Sequence, residues 1–211
     1  MRRFVLLVLL FLLVGGTSRA QESISSLTLS THSSNDSGYT ASQYLNATLD
    51  FEVVDNQLEL IVTNTTNGNP ANYQFDIAEV YFNYNATIID LWWADGSTSG
   101  WALQDSPYHV DDFGYFDVRL YLAGPPKDKW IKPGSNFAET FVFNFSGSGS
   151  AEDFTSFLSA PNGSDTLGYA AAQFVHGGPE GNFLAYGMVV PEPATICLLG
   201  LGGLLLRRRK L

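Results

Sequence analysis

Trp92, Trp93, Trp101, Tyr108 and Tyr115 crowd one stretch of the chain, and Trp130 follows in the segment GPPKDKW. Flat aromatic faces stack on sugar rings, and carboxylates or amides beside them can bind hydroxyl groups. Trp92 and Trp93 are adjacent in a strand-like segment, so their side chains point to opposite faces. One of the two then belongs to the interior and the other faces outward. The glycan contacts that this pattern puts forward are Trp93, Trp101 and Trp130. Tryptophans also fill the interiors of β-sandwiches, so a purely structural reading stands beside the binding one.

The same stretch is acidic. Asp90, Asp95, Asp105, Asp111, Asp112 and Asp117 supply the hard oxygen ligands that Ca²⁺ takes from loops. No D-x-D-x-D-G string accompanies them, and the acidity of the chain makes such clusters common. Calcium is therefore carried only as an assisting ion, and no other cofactor or metal is expected. His32, His109 and His176 are far apart and fit no metal-ligand spacing. The sequence contains no G-x-S-x-G elbow. The string HGGP at 176–179 is similar to an oxyanion-hole loop, but no nucleophile accompanies it. No catalytic residue is assigned. A hydrolase would need a carboxylate pair at glycosidase spacing, which the sequence alone does not single out.

These residues must be held by strands. From Leu45 to Val53 apolar Leu45, Ala47, Leu49, Phe51 and Val53 alternate with polar Asn46, Thr48, Asp50 and Glu52, the period of a half-buried strand. Asp55-Asn56 reads as a turn, and Leu58, Leu60 and Val62 begin the return strand of a hairpin. The string NTTNGNP at 64–70 reads as the next turn. Further strands are expected over 73–84 with a break near Ala78, 87–93, 115–122, 137–145, 169–174 and 183–190. One short helix is expected over 151–159, where Ser150 and Asp153 form a capping-box start. The fold class is all-β: an antiparallel sandwich, with a jelly-roll as one topology, in a single domain over 21–190. Six N-x-S/T strings, at Asn35, Asn46, Asn64, Asn85, Asn144 and Asn162, are read as turn and outward strand positions.

The two ends of the chain have different jobs. Met1-Arg2-Arg3, the apolar run 4–14 and the small residues Ser18 and Ala20 make a Sec-type signal peptide over 1–20, cut after Ala20. At the other end, 191–211 reads PEPATICLLGLGGLLLRRRKL. The two prolines keep the start extended. The run 194–206 carries no charge and can enter a bilayer as a helix, and the cationic end acts as a stop. Cys197 in that run reads as a small apolar residue in preference to a lipidation site.

Seven of the eleven Lys and Arg residues lie in these two ends, leaving Arg119, Lys127, Lys129 and Lys132 in the core. Twenty of the twenty-one acids lie there, so 21–190 carries a net charge of −16. Phosphate contact needs cationic surface, so nucleic acid is not an expected partner. The core contains no cysteine and is long enough to bury a sizeable interior without disulfides.

The tail resembles the PEP-CTERM sorting signal of Gram-negative bacteria. Pro191, Glu192 and Pro193 match its recognition motif, 195–206 its hydrophobic helix, and Arg207, Arg208 and Arg209 its basic stop. The resemblance covers about a tenth of the chain. It implies an exosortase as partner and a host that secretes exopolysaccharide. It also implies export across the inner membrane to the cell envelope, surface or matrix, with at least transient tethering by the C-terminal helix. Three readings of the ectodomain follow: a non-catalytic surface or matrix domain, a carbohydrate-binding module for exopolysaccharide assisted by Ca²⁺, and a secreted hydrolase.

Overall fold

The hairpin expected around Asp55 forms the middle of one half of the structure. The computed structural model describes residues 23–32, 45–66, 75–94, 100–110, 113–122, 129–134, 137–163, 167–176 and 182–189. Strand β2 (Ala47–Val54) and strand β3 (Gln57–Asn64) pair from Val54↔Gln57 to Ala47↔Asn64. Their apolar positions, among them Leu49, Phe51, Leu60 and Val62, are fully buried, and the intervening residues are not. Asp55 turns the chain with a φ of 56°, a left-handed conformation that aspartate tolerates better than most residues.

Eight more strands complete the described fold: β1 (Ser23–His32), β4 (Phe75–Phe82), β5 (Ile88–Trp93), β6 (Trp101–Val110), β7 (Gly114–Leu122), β8 (Glu139–Gly147), β9 (Ala170–His176) and β10 (Asn182–Val189). They are hydrogen-bonded in the order β5-β8-β3-β2-β1-β10-β9-β4-β7-β6, and every pairing is antiparallel. The two halves of this order face each other as two layers. Phe51 of β2 meets Phe82 of β4 edge to face at 5.5 Å, and Trp101 of β6 meets Phe141 of β8 edge to face at 5.2 Å. One apolar cluster, drawn from both halves, fills the space between them. Fully burying such side chains contributes roughly 1.5–3 kcal/mol each, so this interior is what closes the layers.

Two strands carry no clear signal in the sequence. β1 reads SISSLTLSTH, where serine and threonine dilute the apolar alternation to Leu27 and Leu29. β6 contains Asp105-Ser106-Pro107, a turn-like string, yet it forms a ten-residue strand. Its register shifts between Asp105 and Tyr108, and β6 ends the strand order. Proline lacks the N–H that a ladder needs, and an edge strand with a bulge is where that loss is tolerated.

The short helix is shorter than expected. A single 3-10 turn runs over Ala151–Phe154 in place of a helix reaching 159. Its start is as read: the Ser150 N–H donates to Asp153 Oδ2 at 2.8 Å, and the Ser150 hydroxyl donates to the same oxygen at 3.0 Å. It stops early because Phe154 is drawn into the core against Phe51, Phe145 and Tyr84. The chain then crosses the end of the sandwich to bridge Ala160 to Tyr115. The expected break near Ala78 is a register shift between Ile77 and Glu79. The expected signal peptide and the expected hydrophobic helix of the tail lie outside the described residues.

Asn64 corrects a reading. It is expected among the turn and outward strand positions, but it closes β3 and is fully buried. Its Nδ2 donates to the carbonyls of Phe75 at 2.7 Å and Ile131 at 3.0 Å, and its Oδ1 accepts from the Thr66 N–H at 3.2 Å. It ties the start of β4 and the segment around Ile131 to the end of β3. A buried amide is stable only when so paired.

Candidate functional site

β5 is an edge strand laid against β8, and the register sets Trp92 opposite Asn144 and Trp93 opposite Phe143. Alternation then separates the two tryptophans. Trp93 turns inward, stacks on Phe143 at 4.7 Å and lies 6.1 Å from Phe141. Trp92 turns outward and is 43% exposed. On the neighbouring strand Asn144 pairs with Gln57 of β3, and Gln57 Nε2 reaches Asn144 Oδ1 at a long 3.5 Å. Gln57 in turn lies opposite Val54 of β2. Trp92, Asn144, Gln57 and Val54 therefore form one row across the outer face of four adjacent strands. Asp90, two residues before Trp92, is exposed on the same strand opposite Ser146. An indole face beside two amides and a carboxylate can stack on a pyranose ring and hydrogen-bond its hydroxyls.

The three tryptophans put forward from the sequence do not converge on this row. Trp101 is only 1% exposed and packs in the core edge-on to Phe141, so its ring offers no face to a ligand. Trp93 gives one face to Phe143. Trp130 is half-buried, beside Ile131, which bridges to Ile77. Trp92 was recognised as one of a split pair, but strand parity alone could not decide which member faces out. Asn144 was read as a turn or outward strand position, and Gln57 carried no sequence signal of its own.

A second set of aromatic and polar groups sits on the other half. Arg119 of β7 lies between two rings, 4.2 Å from the Tyr108 centroid and 4.4 Å from that of Tyr121. Its guanidinium forks onto Glu79 of β4, with both N···O distances at 2.7 Å. The Tyr81 hydroxyl donates to the same carboxylate. The Glu79 hydrogen bond, against the opposing effect of burial, raises the Arg119 pKa, and burial followed by the Glu79 contact raises that of Tyr81. The guanidinium is charged at any accessible pH, and its carboxylate partner and both ring faces are engaged within the protein.

The acidic stretch converges in part. Asp105 Oδ1 accepts from the Tyr84 hydroxyl at 2.8 Å, and its Oδ2 accepts from the Leu91 N–H at 3.1 Å. Asp117 Oδ2 accepts from the Tyr84 N–H at 3.3 Å. Burial, together with the Asp105 charge, outweighs that hydrogen bond and raises the Asp117 pKa above its usual value. Burial and the Asp105 hydrogen bond push the Tyr84 phenol up. Asp105 thus joins β5 to β6, the two ends of the strand order, where no ladder closes them. Asp95, Asp111 and Asp112 lie outside the described residues. Among the described residues no group of three His, Cys, Asp or Glu side chains is placed to hold a metal ion. His109 meets Asn162 at 3.0 Å and the Tyr115 ring at 4.9 Å, away from these carboxylates' contacts.

Comparison with known proteins adds one match. The family model of the PEP-CTERM protein-sorting motif matches residues 189–210. No curated protein and no solved structure matches the chain. The match begins on the last residue of β10, so the sorting motif follows the final strand directly. The chain carries a PEP-CTERM sorting tail, the mark of a protein exported to the cell envelope.

Proposed function

We propose that this chain is an exported, non-catalytic cell-surface or matrix protein: a signal peptide sends it out, and a PEP-CTERM tail presents its β-sandwich to an exosortase and tethers it. The observation that carries the reading is the motif match at 189–210, joined without a linker to the last strand. Pro191, Glu192 and Pro193 are the recognition residues, 195–206 the membrane helix, and Arg207, Arg208 and Arg209 the stop. The arrangement of Asp105 and Asp117 supports display over turnover, because their described contacts hold the protein's own strands. Expression in a host with an exosortase tests the sorting role. The full chain fractionates with the envelope, and a chain ending at residue 190 is released to the medium. Equal fractionation of the two overturns the role of the tail.

A second activity, compatible with the first, is favoured by the row of Trp92, Asn144 and Gln57. The ectodomain binds a polysaccharide of the matrix in which it is displayed, by stacking one pyranose ring on Trp92. The excess of carboxylates favours a neutral polymer over an acidic one. Calcium assists if Asp95, Asp111 and Asp112 bind it. Tryptophan fluorescence, titrated with the host's exopolysaccharide with and without Ca²⁺, shows a saturable shift that Trp92→Ala removes. A shift that survives Trp92→Ala sinks this binding mode.

A further inference from the structure

Successive strands run in opposite directions, so the strands with even numbers all finish at one end of the sandwich. β1 begins at that end, with Ser23 opposite Val53 beside the Asp55 turn. β10 runs toward that end, and its last residue Val189 lies opposite Leu27, four residues short of Ser23. The connection between β8 and β9 lies across it. The Ala151 N–H donates to Ser23 Oγ at 2.9 Å, and Asn83 Nδ2 donates to the Phe157 carbonyl at 3.2 Å. Both mature chain ends therefore leave the domain on one side.

Several large apolar side chains are exposed on that side. Ile24 (54% exposed), Val54, Ile89 (76% exposed), Phe157 and Leu158 all present large hydrophobic side chains there. Ile24 lies opposite Glu52, so Ile24 and Val54 are diagonal neighbours on one face of β1 and β2. Exposed apolar groups gathered around one end of a domain point to an interface. The sequence indicates what meets them. One residue, Val190, separates β10 from Pro191, and the apolar run begins at Ala194. Fully extended chain from Val189 to Ala194 spans at most about 17 Å, so a tail inserted from Ala194 holds this end of the domain close to the bilayer.

We propose that this end of the sandwich seats on the membrane, with Ile24, Ile89, Phe157 and Leu158 entering the boundary between headgroups and acyl chains. The inference rests on the tail being a membrane tether. Asp55, Asp90 and Glu152 are exposed at the same end, and among the described residues no Lys or Arg accompanies them. Anionic lipid is repelled by such a surface, so the lipid it meets is zwitterionic.

Site-directed quenching of the mature full-length chain, in phosphatidylcholine vesicles carrying a nitroxide-labelled lipid, tests this. A fluorophore on the native Cys197 reports the tail. In a Cys197→Ser background, Ile24→Cys and Leu158→Cys report the proposed contact. Phe137→Cys reports the opposite end, where the neighbouring Gly134 N–H donates to the Asn64 carbonyl. The expected result is quenching at Cys197, several-fold stronger quenching at 24 and 158 than at 137, and a blue shift at both. Quenching at Cys197 with equal, weak signals at 24, 158 and 137 overturns the seating and leaves the tether standing. No quenching at Cys197 overturns the tether and the seating with it. A signal at 24 and 158 that appears only at high protein-to-lipid ratio places a second copy there and overturns the lipid contact.

Discussion

The two halves of the sandwich use similar materials on their outer surfaces to opposite effect. On the β4–β7–β6 half, Tyr108 and Tyr121 enclose Arg119, which is forked onto Glu79. On the β5–β8–β3 half, Trp92 stands beside Asn144 and Gln57, with no described ring against it and a single long hydrogen bond between the amides. In the first region the aromatic faces and hydrogen-bonding groups satisfy one another, and the result is a brace between strands. In the second they remain open to solvent. Aromatic and polar residue types do not distinguish a binding surface from a structural brace. Mutual satisfaction of the groups does, because a ligand can gain only what the protein has left unpaired.

The largest way to test this contrast is to open the brace. Arg119→Ala leaves the Glu79 carboxylate partly buried and uncompensated and removes two stacked contacts. It costs about 3 kcal/mol, near the lower limit for breaking a buried ion pair, and lowers the urea midpoint accordingly. Arg119→Lys recovers only part of this, because an ammonium does not fork onto a carboxylate or stack between rings. A loss below about 0.5 kcal/mol for Arg119→Ala, the range of exposed pairs, would remove the distinction between the halves.

Asn64→Ala is the next in size. It removes the amide's bonds to the carbonyls of Phe75 and Ile131 and from the Thr66 N–H, while the Ile131 carbonyl keeps the Ile77 N–H at 2.9 Å. A loss of about 2 kcal/mol is expected from the buried hydrogen bonds removed, read as a fall in Tm without change in the glycan-induced fluorescence shift.

Trp92→Ala has the opposite profile: stability stays within about 0.5 kcal/mol, as for surface positions, while the glycan-induced shift disappears. Trp93→Ala loses stability through its contacts with Phe143 and Phe141. If Trp93→Ala abolished binding while Trp92→Ala did not, the open surface would lie elsewhere.

The smallest effects are in pH dependence, and they differ in sign. At Asp153 burial raises the pKa, but hydrogen bonds from the Ser150 N–H, the Asn85 amide and the Ser150 hydroxyl outweigh it and hold the group below its usual value. Its stabilisation is therefore complete above the unfolded carboxylate pKa and is lost as pH falls through the lowered folded value. Asp117 is raised, so its cost is present above the folded pKa and is relieved as pH falls through that value. Denaturation midpoints measured from neutral to acid pH follow these signs. Asp153→Asn destabilises at neutral pH and Asp117→Asn stabilises slightly. Both differences shrink as pH drops, each over its own window. Parallel shifts of the same sign would contradict the two environments.

Much of this architecture could be read before the structure. The β2–β3 hairpin was legible because Leu49, Phe51, Leu60 and Val62 alternate strictly, and alternation is a local property of a strand with one buried face. The capping box at Ser150 and the break near Ala78 were legible for similarly local reasons. β1 escaped because its serines and threonines blur the period. β6 escaped because Pro107 signals a turn unless the strand is known to lie at an edge. The glycan contacts were legible only as a set of residue types: Trp101 and Trp93 went to the interior and Trp92 to the surface.

The sequence by itself determined the address, because a sorting motif is read as a short linear string by another protein, and residues 189–210 carry that string in order. It also determined the all-β class, because period-two patterning needs only neighbouring residues. The tertiary structure decided the rest: that Asn64 is a buried tie, that Asp105 joins the two end strands, that Arg119 is enclosed, that Trp92 is open, and that β1 begins at the end of the sandwich toward which β10 runs. Each depends on which strands become neighbours and in what register. Those pairings join residues up to 162 positions apart, as Leu27 and Val189 are, and nothing local in the chain encodes them.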